Sequence, residues 1–395
     1  MDTTFQSLTL TNWRQFSSVR IAFDGRATVI TGANGVGKTT LLRLLATSFQ
    51  WKAFFYSSGL SRQQRAELRR EIRRDRDSLQ NSEANGSFSV YLTNGTKFES
   101  QLPSERGRTN VNAGLENRVD GIFLSAHQAQ ARYQVLENIP VNPVNASQMH
   151  EVLRNATIQY DMGTYQPRMK SPGLVLKEAI VSLAVFGEAT TYSAGNTSYK
   201  YILERFQECL TLTLPKSLGF IRLYVQDNDV LLHTESGHFP IDSMSGGITA
   251  VLMATWQFLL YSIDHSSFTV VWDEPENHLH PEMQRTILPS LIDAFPSAKF
   301  IISSHSPFVV SSIEGASVYV LRYDDDHRVY SELLDTDDVA GSASEVLLEV
   351  LGVGSTMPVW IERRIKAAAQ NLTDLPADQR YRELRDLVRK VRDKD

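Results

Sequence analysis

Gly32-Ala33-Asn34-Gly35-Val36-Gly37-Lys38-Thr39 is the stretch that decides the reading of this chain. It fits G-x-x-x-x-G-K-[ST], the pattern of a loop that wraps phosphates. Its three glycines let the backbone curl so that successive N–H groups face phosphate oxygens. The apolar run Ala27-Thr28-Val29-Ile30-Thr31 before it reads as a buried strand, and Thr39–Phe49 after it as a helix. The positive end of that helix adds to the anion site. In such a loop the lysine reaches the β and γ phosphates and the hydroxyl ligates Mg²⁺, which assigns those tasks to Lys38 and Thr39. The expected nucleotide contacts are Ala33, Asn34, Gly35, Val36, Gly37, Lys38, Thr39 and Thr40.

Further along, Phe268–Trp272 is an apolar strand that ends in Asp273-Glu274-Pro275-Glu276. An aspartate at the tip of a buried strand is where a phosphate-loop enzyme supports Mg²⁺. Glu274 beside it is placed to act as general base on an attacking water. Asp242-Ser243-Met244-Ser245-Gly246-Gly247 opens a long apolar helix, and a serine with two glycines at a helix start offers a hydroxyl and free N–H groups to an anion. A third buried strand ends in Ile301-Ile302-Ser303-Ser304-His305-Ser306-Pro307, where His305 can touch a γ-phosphate.

Strands alternate with helices from Asp242 onward: helix 247–262, strand 268–272, helix 281–293, strand 299–303, helix 307–312, strand 317–321. This indicates the α/β class with a mostly parallel sheet. Two alternating runs around Asn94-Gly95 predict a hairpin with a type I′ turn, and Phe220–Leu232 a second hairpin turning at Gln226-Asp227-Asn228-Asp229. The expected units are an N-terminal lobe over 1–145, a helical insertion over 146–215, a C-terminal lobe over 216–345 and a helical tail over 346–395.

The 395 residues carry 40 Lys plus Arg against 45 Asp plus Glu, a net charge of −5 that excludes a uniformly basic nucleic-acid binder. The average conceals residues 62–77, with seven arginines against Glu67, Glu71, Asp75 and Asp77, readable as a solvated helix or as a contact for DNA phosphates. The single cysteine, Cys209, excludes a cysteine metal cage and points to a reducing compartment. No charged and apolar leader opens the chain, and the run Ile248–Ile263 is short for a bilayer, so the expectation is a cytoplasmic protein without a membrane partner.

Together these motifs resemble the head of an ABC-type ATPase, with Walker A, signature, Walker B and switch histidine in chain order. Asp273-Glu274-Pro275-Glu276-Asn277-His278-Leu279-His280-Pro281 resembles in particular the D-E-P-E-x-H-L-H-P string of the OLD, Septu and RecF/SMC-like ATPases. The resemblance implies a parallel core, an antiparallel β subdomain and a helical insertion. It also implies a homodimer in which two heads sandwich two ATP molecules. Carried over, Lys38 and Thr39 bind ATP and Mg²⁺, Asp273 supports the metal and Glu274 is the catalytic base. Ser245, Gly246 and Gly247 contact the γ-phosphate held by the other head, and His305 is the switch. Gln128, rather than Gln130, is the expected glutamine ligand of the metal, and Glu276 and His280 shape the D-loop and the dimer contact or serve a structural role. The signature departs from the family, reading M-S-G-G-I with Ile248 where a glutamine is usual.

The spacing of residues 146–215 shows no sustained heptads, which argues against a DNA-tethering coiled coil. About 50 residues follow Val346, too few for a nuclease domain. The first expectation is therefore an anti-phage ATPase that switches a separately encoded effector, such as a nuclease or toxin. The alternative is a RecF/SMC-like ATPase that clamps DNA for repair. The acids at 324–326 and at Asp335, Asp337 and Asp338 read as a solvated turn or loop.

Overall fold

A computed structural model gives the fold. It describes residues 3–49, 51, 53–56, 86–102, 108–111, 119–126, 133–139, 145–161, 169–190, 194–335, 341–355, 357 and 359–363. The arginine-rich segment 62–77, Gln128 and Gln130, and Asp337 and Asp338 lie outside these residues, as does all of the tail beyond 363.

The chain opens with β1 (Phe5–Trp13), β2 (Phe16–Ala22) and β3 (Ala27–Gly32), followed by α1 (Lys38–Ala46). Next come β4 (Ala53–Tyr56), β5 (Gly86–Leu92), β6 (Lys97–Leu102), β7 (Arg108–Val111) and β8 (Gly121–Leu124). Three helices occupy the middle, α2 (Ala146–Asp161), α3 (Pro172–Gly187) and α4 (Thr197–Thr213). β9 (Phe220–Gln226), β10 (Asp229–Thr234) and β11 (Gly237–Pro240) form a separate antiparallel sheet. Then follow α5 (Gly246–Asp264), β12 (Phe268–Asp273), α6 (Pro281–Ala294), β13 (Ala298–Ser303), α7 (Pro307–Val310), β14 (Ser317–Tyr323) and β15 (Val329–Leu333).

Ten strands make one sheet in the order β6-β5-β1-β2-β15-β14-β3-β13-β12-β8. From β14 to β8 every pairing is parallel. β3, β12 and β8 are buried at every position, as expected of strands covered on both faces. β1, β2, β5 and β6 pair antiparallel and join the parallel part through the β2–β15 contact. The antiparallel strands thus extend the same sheet. Because β3, β12 and β13 run side by side in one direction, the phosphate loop, the acidic pair and the His305 loop all leave the same edge.

α5 is apolar almost throughout and long enough to cross a membrane by length and composition, yet 78% of its most apolar window is buried. It is a core helix, in contact with α2 and α4. The acids 324–326 lie at the tip of the β14–β15 hairpin, in agreement with the sequence reading.

The turn at Asn94-Gly95 differs from expectation. Gly95 has φ 82° while Asn94 is not left-handed, and the amide of Gly95 donates to the carbonyl of Leu92 at 2.9 Å. Leu92 in turn donates to Thr96, so the loop has three residues and closes on a left-handed glycine. The Asn94 side chain accepts from the amide of Thr96, which favours this form over the two-residue I′ turn. At the second hairpin Asp227 (φ 53°) and Asn228 (φ 60°) are both left-handed, as a I′ turn requires.

Candidate functional site

Gly32, Gly35 and Gly37 have φ of 136°, 85° and 104°, the region that favours glycine, so the loop curls as the motif demands. Gly37 is also held by space: a Cβ there would lie 2.4 Å from the ring of Phe16 and 2.6 Å from the Gln15 amide. Ala33, Asn34 and Gly35 are exposed, whereas Val36 is fully buried and anchors the loop.

Lys38 starts α1 and turns back under the loop. Its Nζ donates to the carbonyls of Gly32 (2.9 Å) and Ala33 (3.1 Å) and lies 3.4 Å from Nδ1 of His305. Burial pushes its pKa down to about 8, although Glu274, Asp273 and Glu276 pull the other way. A lysine that satisfies its donors on its own loop is the fit expected of a phosphate site, where phosphate oxygens would replace those carbonyls.

Asp273 closes β12 and is 2% exposed. Its carboxylate accepts from the hydroxyls of Ser303 and Thr39, and burial raises its pKa against those two bonds. The pair Thr39–Asp273 is therefore assembled, one residue from the first turn of α1 and one from the end of β12. Among the described residues no cluster of three or more His, Cys, Asp or Glu stands ready to hold a metal.

Glu274 is left-handed at φ 49°, a cost of about 1–3 kcal/mol for a residue with a Cβ. The turn compensates: its amide donates to the carbonyl (3.1 Å) and hydroxyl (3.2 Å) of Ser303, and Asn277 donates back to its carbonyl. The conformation points the carboxylate at His305, whose Nε2 is 3.2 Å away, while Asn277 donates to the other oxygen at 3.0 Å. Asn277 also donates to the carbonyl of Ala126, just before the segment that holds Gln128. Burial and the neighbouring Lys38 lower the pKa of His305, opposed by Glu274 and Asp273. Lys38, His305, Glu274 and Asn277 thus form one continuous chain of polar contacts.

Glu276 does something its place in the motif does not announce. Its Oε1 accepts from the Ser304 hydroxyl (2.8 Å) and the amides of His305 (2.6 Å) and Ser306 (3.1 Å), which fixes the loop that presents His305. Its Oε2 is buried without a partner, and burial raises its pKa above the usual carboxylate range. His280 caps α6, accepting from the amide of Glu282. The carboxylate in the motif with the most hydrogen bonds is a support for the His305 loop rather than a surface group.

Ser245 caps α5 and is exposed with Gly246, whereas Gly247 is buried against the turn of the acidic motif. A Cβ on Gly247 would meet the His278 carbonyl at 2.6 Å. Among the described residues no hydrogen bond joins Ser245, Gly246 or Gly247 to the phosphate loop or to Glu274. The structure brings together Lys38, Thr39, Asp273, Glu274 and His305, and leaves Ser245 and Gly246 facing outward.

Two family models match the chain. An AAA domain matches residues 7–138, and the AAA domain described as "putative AbiEii toxin, Type IV TA system" matches residues 212–311. Both matches are to AAA domains, one at each end of the region that carries the site. The chain is 20% identical to the Septu protein PtuA of Bacillus thuringiensis over 365 residues, 88% of the chain and 84% of the relative. It is 25% identical over 211 residues to the Retron Ec83 probable ATPase of Escherichia coli, covering 53% of the chain and 36% of the relative. The match thus spans about a third of the retron protein's length. Among solved structures, the SMC head bound to the C-winged helix domain of ScpA is 14% identical, and the match covers 84% of this chain and 98% of that one, with a TM-score of 0.43.

Proposed function

We propose that the protein hydrolyses ATP at this site, and the contact chain Lys38–His305–Glu274 beside Thr39–Asp273 is the observation that carries the reading. The exposed N–H groups of residues 33–35, the positive end of α1 and the Lys38 ammonium receive the phosphates. Thr39 and Asp273 are the groups that would hold Mg²⁺, which supplies charge neutralisation for phosphoryl transfer. Gln128 is a further proposed ligand. Glu274 takes the proton of the attacking water, and its left-handed backbone and Asn277 fix the direction in which it does so. His305, kept uncharged by burial and by Lys38, accepts or donates a single hydrogen bond between base and phosphate.

Ser245 and Gly246 sit exposed at the start of a helix of 19 residues, whose N-terminal dipole favours an anion. That placement supports a head-to-head homodimer in which they reach the phosphates of the partner. The reading extends to an ATP-dependent switch for a separately encoded effector, such as a nuclease, in anti-phage defence. Its support is the likeness to the Septu and retron proteins.

The deciding experiment is Glu274→Gln. Turnover should fall by about 10²–10⁴, and size-exclusion chromatography with ATP should show a dimer that persists, whereas the wild type returns to monomer as ATP is consumed. Hydrolysis at the wild-type rate would remove Glu274 from the role of base. Co-purification from the native operon tests the effector: a chain that restricts phage alone has no need of one.

A further inference from the structure

At the opposite end of the parallel strands from the phosphate loop lies a cavity of about 360 Å³, within the range of small-molecule sites. It covers the edge strand β8 near Gly121 and is walled by α2, α5 and the short turn Thr47–Phe49 that continues α1. The Ser48 hydroxyl, Nε2 of His150 and Nε of Arg154 border it, and all three are buried without a hydrogen-bond partner. Ser48 is 1% exposed and His150 8%, so bulk water does not serve them. Each such group carries a desolvation cost unless something binds it. Among the described residues no ion pair involves Arg154.

The donors are held in place. The His150 ring meets the Tyr261 ring edge-on at 5.0 Å, and Tyr261 stacks on His265 at 3.9 Å. The amide of Gly121 donates to the Tyr261 hydroxyl at 2.9 Å, which leaves the phenol proton free to donate. Across the cavity Trp51 packs edge-on against Phe123 at 4.9 Å and gives a flat apolar wall. One guanidinium, one imidazole and two hydroxyls near an aromatic wall suit a ring that carries an anionic group. Asp120 and Glu151, also on the lining, suit hydroxyls or an exocyclic amine on the same compound. Burial, with Arg154 and His265 close by, pushes His150 down to about 4, so it meets the ligand as a neutral donor or acceptor.

We infer that this cavity is a second small-molecule site, for a compound joining a planar ring to a phosphate or carboxylate, with the anion on Arg154, His150 and Ser48 and the ring against Trp51. A nucleoside monophosphate is the simplest representative. α1 joins the two sites, since its first residue is Lys38 and the turn that follows it carries Ser48.

The test uses the full chain carrying Lys38→Ala, which disables the phosphate loop, titrated with AMP by calorimetry and by tryptophan fluorescence. One AMP per chain should bind below millimolar Kd. Arg154→Leu should weaken it at least tenfold, Ser48→Ala by less, and Arg154→Lys should restore part of the loss. If Arg154→Leu does not fold, Ser48→Leu, which fills the cavity from a different wall, takes its place. No binding at millimolar AMP, or binding that survives both Arg154→Leu and Ser48→Leu, overturns the proposal.

Discussion

Lys38 sits among three carboxylates and still loses basicity, because the cost of burial exceeds their combined attraction. The sign of the consequence is fixed. Its folded pKa of about 8 lies below the ordinary 10.5, so between those values the unfolded chain binds more protons and the ligand-free fold gains stability as pH rises. The penalty is fully present below pH 8 and is worth at most about 3 kcal/mol. Urea midpoints measured at pH 7.5 and 9.5 should show the rise in the wild type, and Lys38→Met should flatten it. Phosphate binding reverses the shift, so nucleotide titrations at pH 8 in buffers of different ionisation heat should reveal proton uptake that Lys38→Met abolishes. The loop and its lysine were legible in the sequence because their spacing is dictated by the ligand. Glu276 was not legible as a support for His305. Its partners Ser304, His305 and Ser306 belong to the loop after β13, and the β12–β13 pairing brings that loop beside the acidic turn.

The elements that carry the site hold one another through backbone contacts as much as side chains. Removing the Glu276 carboxylate leaves two amides and a hydroxyl without their acceptor; Glu276→Ala should cost about 3 kcal/mol and loosen His305. Glu276→Gln keeps one oxygen for those donors and relieves a buried charge, so it should cost much less and retain turnover; equal losses in the two variants would contradict this assignment. Gly247 is a second such joint. Ala at that position would press on the His278 carbonyl and displace the start of α5 from the acidic turn. ATP-dependent self-association should fall in Gly247→Ala while equilibrium binding of a nucleotide analogue to the single chain stays within about twofold. The long periodic elements, such as α5 and β12, were readable from pattern alone. The turn at Asn94-Gly95 was misread because one side-chain hydrogen bond to Thr96 decides between two hairpin geometries.

At the scale of the whole molecule, the most buried charge among the described residues is Lys177, on α3 and 1% exposed. It binds Asp229 of β10 (2.7 Å), Asp242 just ahead of the Ser245 cap (3.0 Å) and the carbonyl of Gln134 (2.9 Å). Burial alone would lower its pKa, but the hydrogen bonds and charges of the two aspartates outweigh it and the net direction is upward. A lone lysine within an apolar helical run was visible in the sequence, but its partners were not. Lys177→Met should leave the buried Asp242 and the half-buried Asp229 without their cation and destabilise by about 3–5 kcal/mol in thermal or denaturant unfolding. A loss below about 1 kcal/mol would show that water replaces the ammonium there.

The β2–β15 and β3–β13 pairings impose an order on synthesis. Thr31, one residue before the phosphate loop, donates to the carbonyl of Ser304, 273 positions later. At about 5–20 residues per second, the ribosome needs on the order of 15 to 55 s to supply that partner. For that interval the nascent chain carries β3, apolar on both faces, with neither of its neighbours β13 and β14 yet made. A cell that makes this protein must therefore shelter an unpaired central strand throughout that interval, and chaperone capture of nascent chains should end only once β14 has left the ribosome.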